Sequence, residues 1–122
     1  MVLKLPDSGS WIDTLFEDWP SAASTADACV VSDVTEAQLA EALDAMARGD
    51  IEFVILEDGD AFIQAAGQGD GLYAINYKPA HDDGLQAVPG GVSGEAMRAA
   101  LLSYRRGDGR WHVAHRWLPL EF

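Results

Sequence analysis

Several kinds of residue and segment are scarce in this sequence, and each shortage excludes a class of protein. The chain has a single cysteine, Cys29, which excludes an internal disulfide framework. It has no apolar run that approaches the roughly 18 residues of a membrane-spanning helix. The apolar run at its start contains Lys4 and ends at Pro6, which makes it too short for a secretory signal. We therefore expect a cytoplasmic protein.

Histidines are also few, and their spacing does not favour a metal site. His81 precedes two aspartates in a loop, where adjacent residues rarely hold one metal ion together. His112 and His115 lie three residues apart in a segment predicted as a strand, so they are expected on opposite faces. With one thiol in the chain, a zinc site would need another ligand from elsewhere in the fold. The sequence predicts no metal and no cofactor.

Basic residues are the third shortage. The chain has eight of them against 20 acidic residues, for a net charge of −12. Residues 1–60 hold 14 acidic and two basic side chains, whereas residues 61–122 hold six of each. Such a field repels nucleic-acid phosphate and anionic membranes and attracts cationic partners. We expect no nucleic-acid or membrane partner, and the acidic excess serves either a basic protein partner or solubility alone.

The residues that are present fit one globular domain. The chain has 122 residues, of which 48% are hydrophobic and 23% charged, enough to bury a core. The patterning predicts an α+β fold, with an antiparallel meander sheet of about four to six strands and two principal helices packed on it. A short N-terminal helix and a linker are expected over residues 1–27, and a single α+β domain over residues 28–122.

The N-terminal segment has the pattern of a short amphipathic helix. Ser10 is the expected N-cap and Pro20 the stop. The apolar positions between them follow helical spacing; they are Ile12, Leu15, Phe16 and Trp19. A helix of this kind either docks on its own core or binds a partner, and dimerisation through it is one alternative for the function.

Two further helices and six strands are predicted. Thr35 and Gln38 form a capping-box pattern for a helix that ends at Gly49. Ser93 caps a second helix that ends at Gly107. Strands are predicted at 28–34, 51–56, 61–66, 72–77, 85–88 and 111–120. In the last of these, Trp111, Val113, His115 and Trp117 would share one face.

The two helices belong to segments that repeat each other at an offset of 58 residues. Thr35 corresponds to Ser93, and the inner-face residues Leu39, Leu43 and Met46 correspond to Met97, Leu101 and Tyr104. Each helix is followed by the tripeptide Arg-Gly-Asp. We interpret this tripeptide as a helix C-terminus rather than an adhesion motif, since arginine suits the last turn and glycine the cap.

Acidic residues concentrate in the turns of the predicted meander. The turns at 57–60 and 67–71 contain the Asp-Gly pairs that tight hairpins favour. The pattern of a calcium loop is not completed, because a strand begins after two acids. We expect these acids to gather with two tyrosines of one strand face as a surface for a basic protein. The surface consists of Glu57, Asp58, Asp60, Asp70, Tyr73 and Tyr77.

No motif for catalysis is visible. The chain lacks G-x-S-x-G, and the glycine-rich loop at 89–95 lacks the lysine of a phosphate-binding loop. The sequence favours a non-enzymatic protein. The alternative is a small-molecule-binding or enzymatic domain with a pocket between sheet and helices. That pocket would be lined by Tyr104, Trp111, His115 and Trp117.

The stretch "FVILEDGDAFIQAAG", followed by "LYAINY", "YRRGD" and a tryptophan-rich end, resembles a group of small acidic bacterial proteins. In size, charge and layout these are similar to the immunity proteins of polymorphic toxin systems. The resemblance covers roughly residues 50–118 and transfers no functional residue. It implies a tight inhibitor that masks the active site of a toxin, often a cationic nuclease, through an acidic surface.

Overall fold

The computed structural model describes residues 1–6, 22–24, 28–80 and 84–119. The predicted N-terminal helix at 10–19 lies outside these ranges. The strands are β1 (Val2–Pro6), β2 (Ala22–Ser24), β3 (Ala28–Val31), β4 (Phe53–Asp58), β5 (Ala61–Gly67), β6 (Leu72–Lys78), β7 (Gln86–Ala87), β8 (Val92–Ser93) and β9 (Leu118–Pro119). The helices are α1 (Glu36–Ala47), α2 (Gly94–Arg106) and the single turn α3 (Arg110–Val113).

The α+β prediction is confirmed, although the sheet has more strands than expected. In the described part of the chain, nine strands form one antiparallel sheet in the order β2-β3-β1-β4-β5-β6-β7-β9, with β8 also paired to β6. Strands β4, β5 and β6 form the predicted meander, joined by short turns. The additional strands are short or lie near the N-terminus, where the patterns were interpreted as loop and linker.

The boundary predicted at residue 27 does not separate the first strands from the rest of the fold. Strand β1 pairs with β3 on one side and with β4 on the other, so it lies inside the sheet. Strand β2, in the segment interpreted as a linker, extends the same sheet beyond β3. Because β3 and β4 both run antiparallel to β1, they are parallel to each other, and α1 joins them as a split β-α-β unit.

The ends of α1 and α2 follow the predicted chemistry. The hydroxyl of Thr35 accepts from the backbone N–H of Gln38 at 3.1 Å, and the Gln38 side chain accepts from the N–H of Thr35. Ser93 Oγ accepts from the N–H of Ala96, also at 3.1 Å. Gly49 and Gly107 follow the two helices with φ of 84° and 76°, a left-handed conformation that glycine adopts without strain.

The core lies between one face of the sheet and the two long helices. Side chains that are opposite each other in neighbouring strands share a face, and one such row runs through Leu3, Leu56 and Ile63, all fully buried. Leu43 of α1 and Leu101 of α2 pack over this face and are buried to 1% exposure or less. We call it the helix face, and we call the opposite side of the sheet the open face.

Part of the acidic excess in the first half of the chain is compensated by ion pairs with basic residues of the second half. Arg98 of α2 forms an ion pair with Asp44 of α1, and Arg106 forms one with Glu36. The hydrogen bond from Arg106 is the main cause that lowers the pKa of the Glu36 carboxyl below its usual value. Part of the acidic excess of the first half therefore serves to hold α1 against α2.

The strand predicted at 111–120 is wrong over most of its length. The chain forms the helical turn α3 after Gly109, which has a φ of 76°, and it resumes an extended conformation only in β9. Asp108 Oδ1 accepts from the N–H of Arg110 at 3.0 Å and so starts the turn. The alternation of apolar residues thus does not mark a strand: Trp111 and Trp117 pack against the core, whereas Val113 between them is 82% exposed.

None of the helices in the described ranges has the length and apolar character needed to cross a membrane.

Candidate functional site

The predicted acidic surface is divided between two ends of the sheet. Glu57, Asp58 and Asp60 lie at the β4–β5 turn, whereas Asp70 lies at the β5–β6 turn. Strand β5 has seven residues, which separates the two turns by about 20 Å. The four acids therefore do not form one surface. Successive turns of an antiparallel meander always lie at alternate ends of the sheet. The predicted meander therefore already implied that these four acids lie at two different ends.

The acids at the β4–β5 turn differ in whether they form an ion pair within the fold. Glu57 lies on the open face and pairs with Lys4, at 2.5 Å between the carboxylate and the ammonium group. Asp58 and Asp60 are exposed, and Lys78 donates to the backbone oxygen of Asp60, not to its carboxylate. Within the described ranges, no basic side chain pairs with either of these two carboxylates.

Asp70 has a local structural role at the opposite end. Its Oδ1 accepts from the N–H of Leu72 at 3.0 Å, which closes the turn before β6. The glycines on both sides have φ of 86° and 84°, as a tight reversal requires. The residue is thus explained by the turn itself.

The two predicted interface tyrosines face the helices instead of solvent. Tyr73 and Tyr77 share a face, as predicted, but the buried Ile75 between them shows that this is the helix face. The ring of Tyr73 packs on the first residue of α2, and a Cβ at Gly94 would approach it to 3.3 Å. A flat acidic face with exposed tyrosines is therefore not present.

Tyr77 belongs to an aromatic cluster at the end of the sheet where the β4–β5 turn lies. Its ring meets Trp111 and Trp117 edge-on, with centroids 4.9 and 4.8 Å apart, and its hydroxyl lies 3.1 Å from His112 Nε2. Tyr104 packs against Trp111 at 5.1 Å. Burial, with the nearby negative charge of Asp58, raises the pKa of Tyr104 to about 12. The cluster packs α2, α3 and the sheet against one another.

A buried serine on α2 holds α3 in place. Ser103 is 5% exposed, and its hydroxyl donates to Asp108 Oδ1 while it accepts from the N–H of Trp111 at 3.0 Å. The hydrogen bond from Ser103 is the main cause that lowers the pKa of the Asp108 carboxyl. Because the hydroxyl has both a donor and an acceptor role in the scaffold, the pairing with Asp108 is structural and does not indicate a nucleophile.

The residues of the predicted pocket are only partly brought together. Trp111 and His115 line a cavity of about 480 Å³ between α2 and α3. Tyr104 and Trp117 do not line it; both contact Trp111 within the aromatic cluster. The cavity lies on the outer side of α2, not between the sheet and the helices as predicted. Its other lining residues include Ala99, Leu102 and Arg110.

No arrangement typical of catalysis is found in the described part of the chain. No group of three or more histidine, cysteine, aspartate or glutamate side chains there is placed to hold a metal ion. The His112 ring is hydrogen-bonded through Nε2 to the Tyr77 hydroxyl, and the backbone oxygen of His112 accepts from Trp117 Nε1 at 3.0 Å. His115 contacts Trp117 edge-on, with ring centroids 6.0 Å apart.

Sequence reasoning missed the network of Ser103, Asp108 and Arg110. One signal was available in the spacing of Gly107 and Gly109, two glycines that bracket an aspartate directly after a helix. This pattern favours a second reversal over a strand. The role of Ser103 had no comparable signal, since serine near a helix end is common.

Comparison of the chain with protein-family models, with curated proteins and with solved structures gives no match.

Proposed function

We propose that this chain is a non-enzymatic protein-binding module that engages a basic protein surface through the end of the sheet carrying Asp58 and Asp60. The observation that carries the proposal is the contrast among the carboxylates. Those of Glu36, Asp44 and Glu57 are paired with basic side chains, whereas Asp58 and Asp60 are exposed and have no such partner in the described ranges. Other exposed carboxylates such as Glu41 and Glu95 also lack an ion pair, but Asp58 and Asp60 stand together at one tight turn. Exposed carboxylates of this kind steer and pair with a cationic surface.

The same end of the sheet offers an apolar contact beside the acids. Tyr77 contacts His112 of α3, and the neighbouring Lys78 contacts Asp60 of the turn, so α3 and the turn lie at the same end of the sheet. Val113 of α3 is 82% exposed, the largest exposed fraction among the large hydrophobic residues described. A partner that fits this end has basic side chains around a shallow apolar contact.

The underlying scaffold favours tight binding because it is already ordered. The aromatic cluster and the Ser103 hydroxyl hold α3 against α2 and β6. A surface that needs no ordering on association keeps more of its interaction free energy. The resemblance to toxin immunity proteins implies the same chemistry, and a toxin is the partner that we propose to look for first.

The proposal is tested by affinity capture from the native host at low and high salt, with mass spectrometry of the bound proteins. The test variant is Asp58→Asn/Asp60→Asn, which removes two charges and leaves every described ion pair intact. The matched control is Glu52→Gln/Asp70→Asn at the other end of the sheet, which also removes two exposed charges. We expect wild type and the control to retain one basic protein at low salt and the double variant to retain less of it.

Equal capture by all three proteins would remove this end of the sheet from consideration. Thermal unfolding of each variant serves as the control for folding. Since Asp58 and Asp60 are exposed, we expect their replacement to shift stability by about 0.5 kcal/mol or less.

A further inference from the structure

The cavity between α2 and α3 has the size and lining of a ligand site. Its volume of about 480 Å³ lies within the range of roughly 300–1,000 Å³ typical of small-molecule pockets. Along the outer face of α2 it is bounded by Ala99 and Leu102, and Ala114 faces them from the segment after α3. The two alanines leave the space open, and the surface they provide is apolar.

One wall of the cavity is aromatic and is held in a defined position. Trp111 lines the cavity, its backbone N–H donates to the Ser103 hydroxyl, and its ring packs against Tyr104 and Tyr77. His115 extends the same wall. A fixed indole ring favours a flat apolar group, because stacking then costs little conformational entropy.

Basic side chains are concentrated at the cavity. Three of the eight basic residues line it, in a protein with a net charge of −12. Arg98 and Arg106 are held by acids of α1, so they contribute fixed, largely compensated charge. Arg110 differs, since no carboxylate within the described ranges pairs with its guanidinium group.

Two acidic residues also line the cavity, and one of them, Asp108, interacts electrostatically with Arg110 without forming an ion pair with its guanidinium group. Asp108 is engaged by the Ser103 hydroxyl and by the N–H of Arg110. Glu95 lies in the first turn of α2, two helical turns before Leu102 and away from α3. Because no ion pair in the described ranges occupies its guanidinium group, Arg110 is the cationic donor available to a ligand at the end of the cavity that Trp111 lines.

We propose that this cavity binds a small, flat, largely apolar molecule that carries one carboxylate. The apolar part lies against Ala99, Leu102 and the ring of Trp111, and the carboxylate accepts hydrogen bonds from Arg110. This inference does not depend on the protein-binding proposal, because Ala99, Leu102 and Arg110 differ from Asp58, Asp60 and Val113, although both proposals involve α3.

The test is an NMR titration of the full chain, labelled with ¹⁵N, with 1-naphthoate as the probe and 1-naphthamide as its neutral counterpart. We expect saturable shifts of the amides of Ala99, Leu102 and Ala114 with naphthoate, and weaker binding of naphthamide. This preference would oppose the overall charge of the chain, which by itself repels an anion.

Two variants separate the charge from the shape of the cavity. Arg110→Gln should weaken naphthoate about three- to tenfold and leave naphthamide unchanged, as expected for one partly exposed charge-assisted contact. Ala99→Leu fills the cavity from an exposed helical position and should weaken both probes. Shifts that do not saturate, equal affinity for the two probes, or wild-type binding by both variants would each overturn the proposal.

Discussion

The two helix units of this protein share their beginning and middle but diverge at their end. Residues 35–53 and 93–111 match at the cap, the inner face and the Arg-Gly-Asp tripeptide, and both helices bury the same positions. After the first tripeptide the chain enters β4, whereas after the second it forms α3. The same local chemistry thus produces the same helix twice, and a strand only once.

Two differences between the units account for the divergence. The position of Ala45 in the first unit is occupied by Ser103 in the second, and the Ser103 hydroxyl binds Asp108. Asp50, the first-unit equivalent of Asp108, pairs instead with Arg48 at the surface. Ile51, which is 3% exposed, is buried in the core at the end of the first unit. The equivalent Gly109 has a positive φ that reverses the direction of the chain at the end of the second unit. A buried isoleucine favours the strand, and a serine with a glycine favours the turn.

The largest effect is expected where the units are equivalent. Leu43→Ala and Leu101→Ala each remove a fully buried side chain at matching positions, and each should lower the free energy of unfolding by about 3 kcal/mol. Chemical denaturation measures both. A loss below about 1 kcal/mol at one position alone would show that the two helices do not carry equal parts of the core.

A smaller effect is expected where the units differ. Ser103→Ala gives α2 the residue type of α1 at this position, and it removes the hydroxyl that joins Asp108 to the N–H of Trp111. We expect a loss of about 1–2 kcal/mol in the free energy of unfolding. Hydrogen exchange at the amides of Trp111 and His112 should accelerate. Unchanged exchange there would mean that the aromatic packing alone holds α3.

Removal of the two helix N-caps should lower the free energy of unfolding by smaller and unequal amounts. Thr35→Ala breaks a reciprocal capping box, whereas Ser93→Ala removes a single hydrogen bond. Both variants should lose about 1 kcal/mol in the free energy of unfolding, with the larger loss at Thr35. Denaturation curves of the two proteins decide the order, and a larger loss at Ser93 would contradict the assigned role of Gln38.

The smallest effect is a local dependence on pH. The pKa of Asp108 is lowered in the folded protein, so its contribution is fully present above the ordinary value of 3.8. It is lost only as the pH falls through the lower, folded value. Exchange at the Trp111 amide should therefore stay slow to a pH below 3.8, and Asp108→Asn should abolish this dependence. If Asp108→Asn titrates like wild type, another group controls the anchor.

Much of the architecture could be predicted from local pattern. The caps of α1 and α2, the left-handed glycines after them and the β4–β5–β6 meander follow from residue chemistry over a few positions, and the structure has them where they were expected. These features depend on hydrogen bonds and torsion angles close in sequence. The surrounding fold has little influence on them.

The candidate site depended on the tertiary structure instead. Alternation along β6 placed Tyr73 and Tyr77 on one face, but only the position of the helices decided that this face is buried. The end of the chain looked like a strand because its apolar residues alternate, yet the buried hydroxyl of Ser103 binds Asp108 and Gly109 reverses the chain. The physical reason is the same in both cases. Burial and long-range hydrogen bonds depend on which elements meet, and that is a property of the assembled sheet and helices rather than of any single segment.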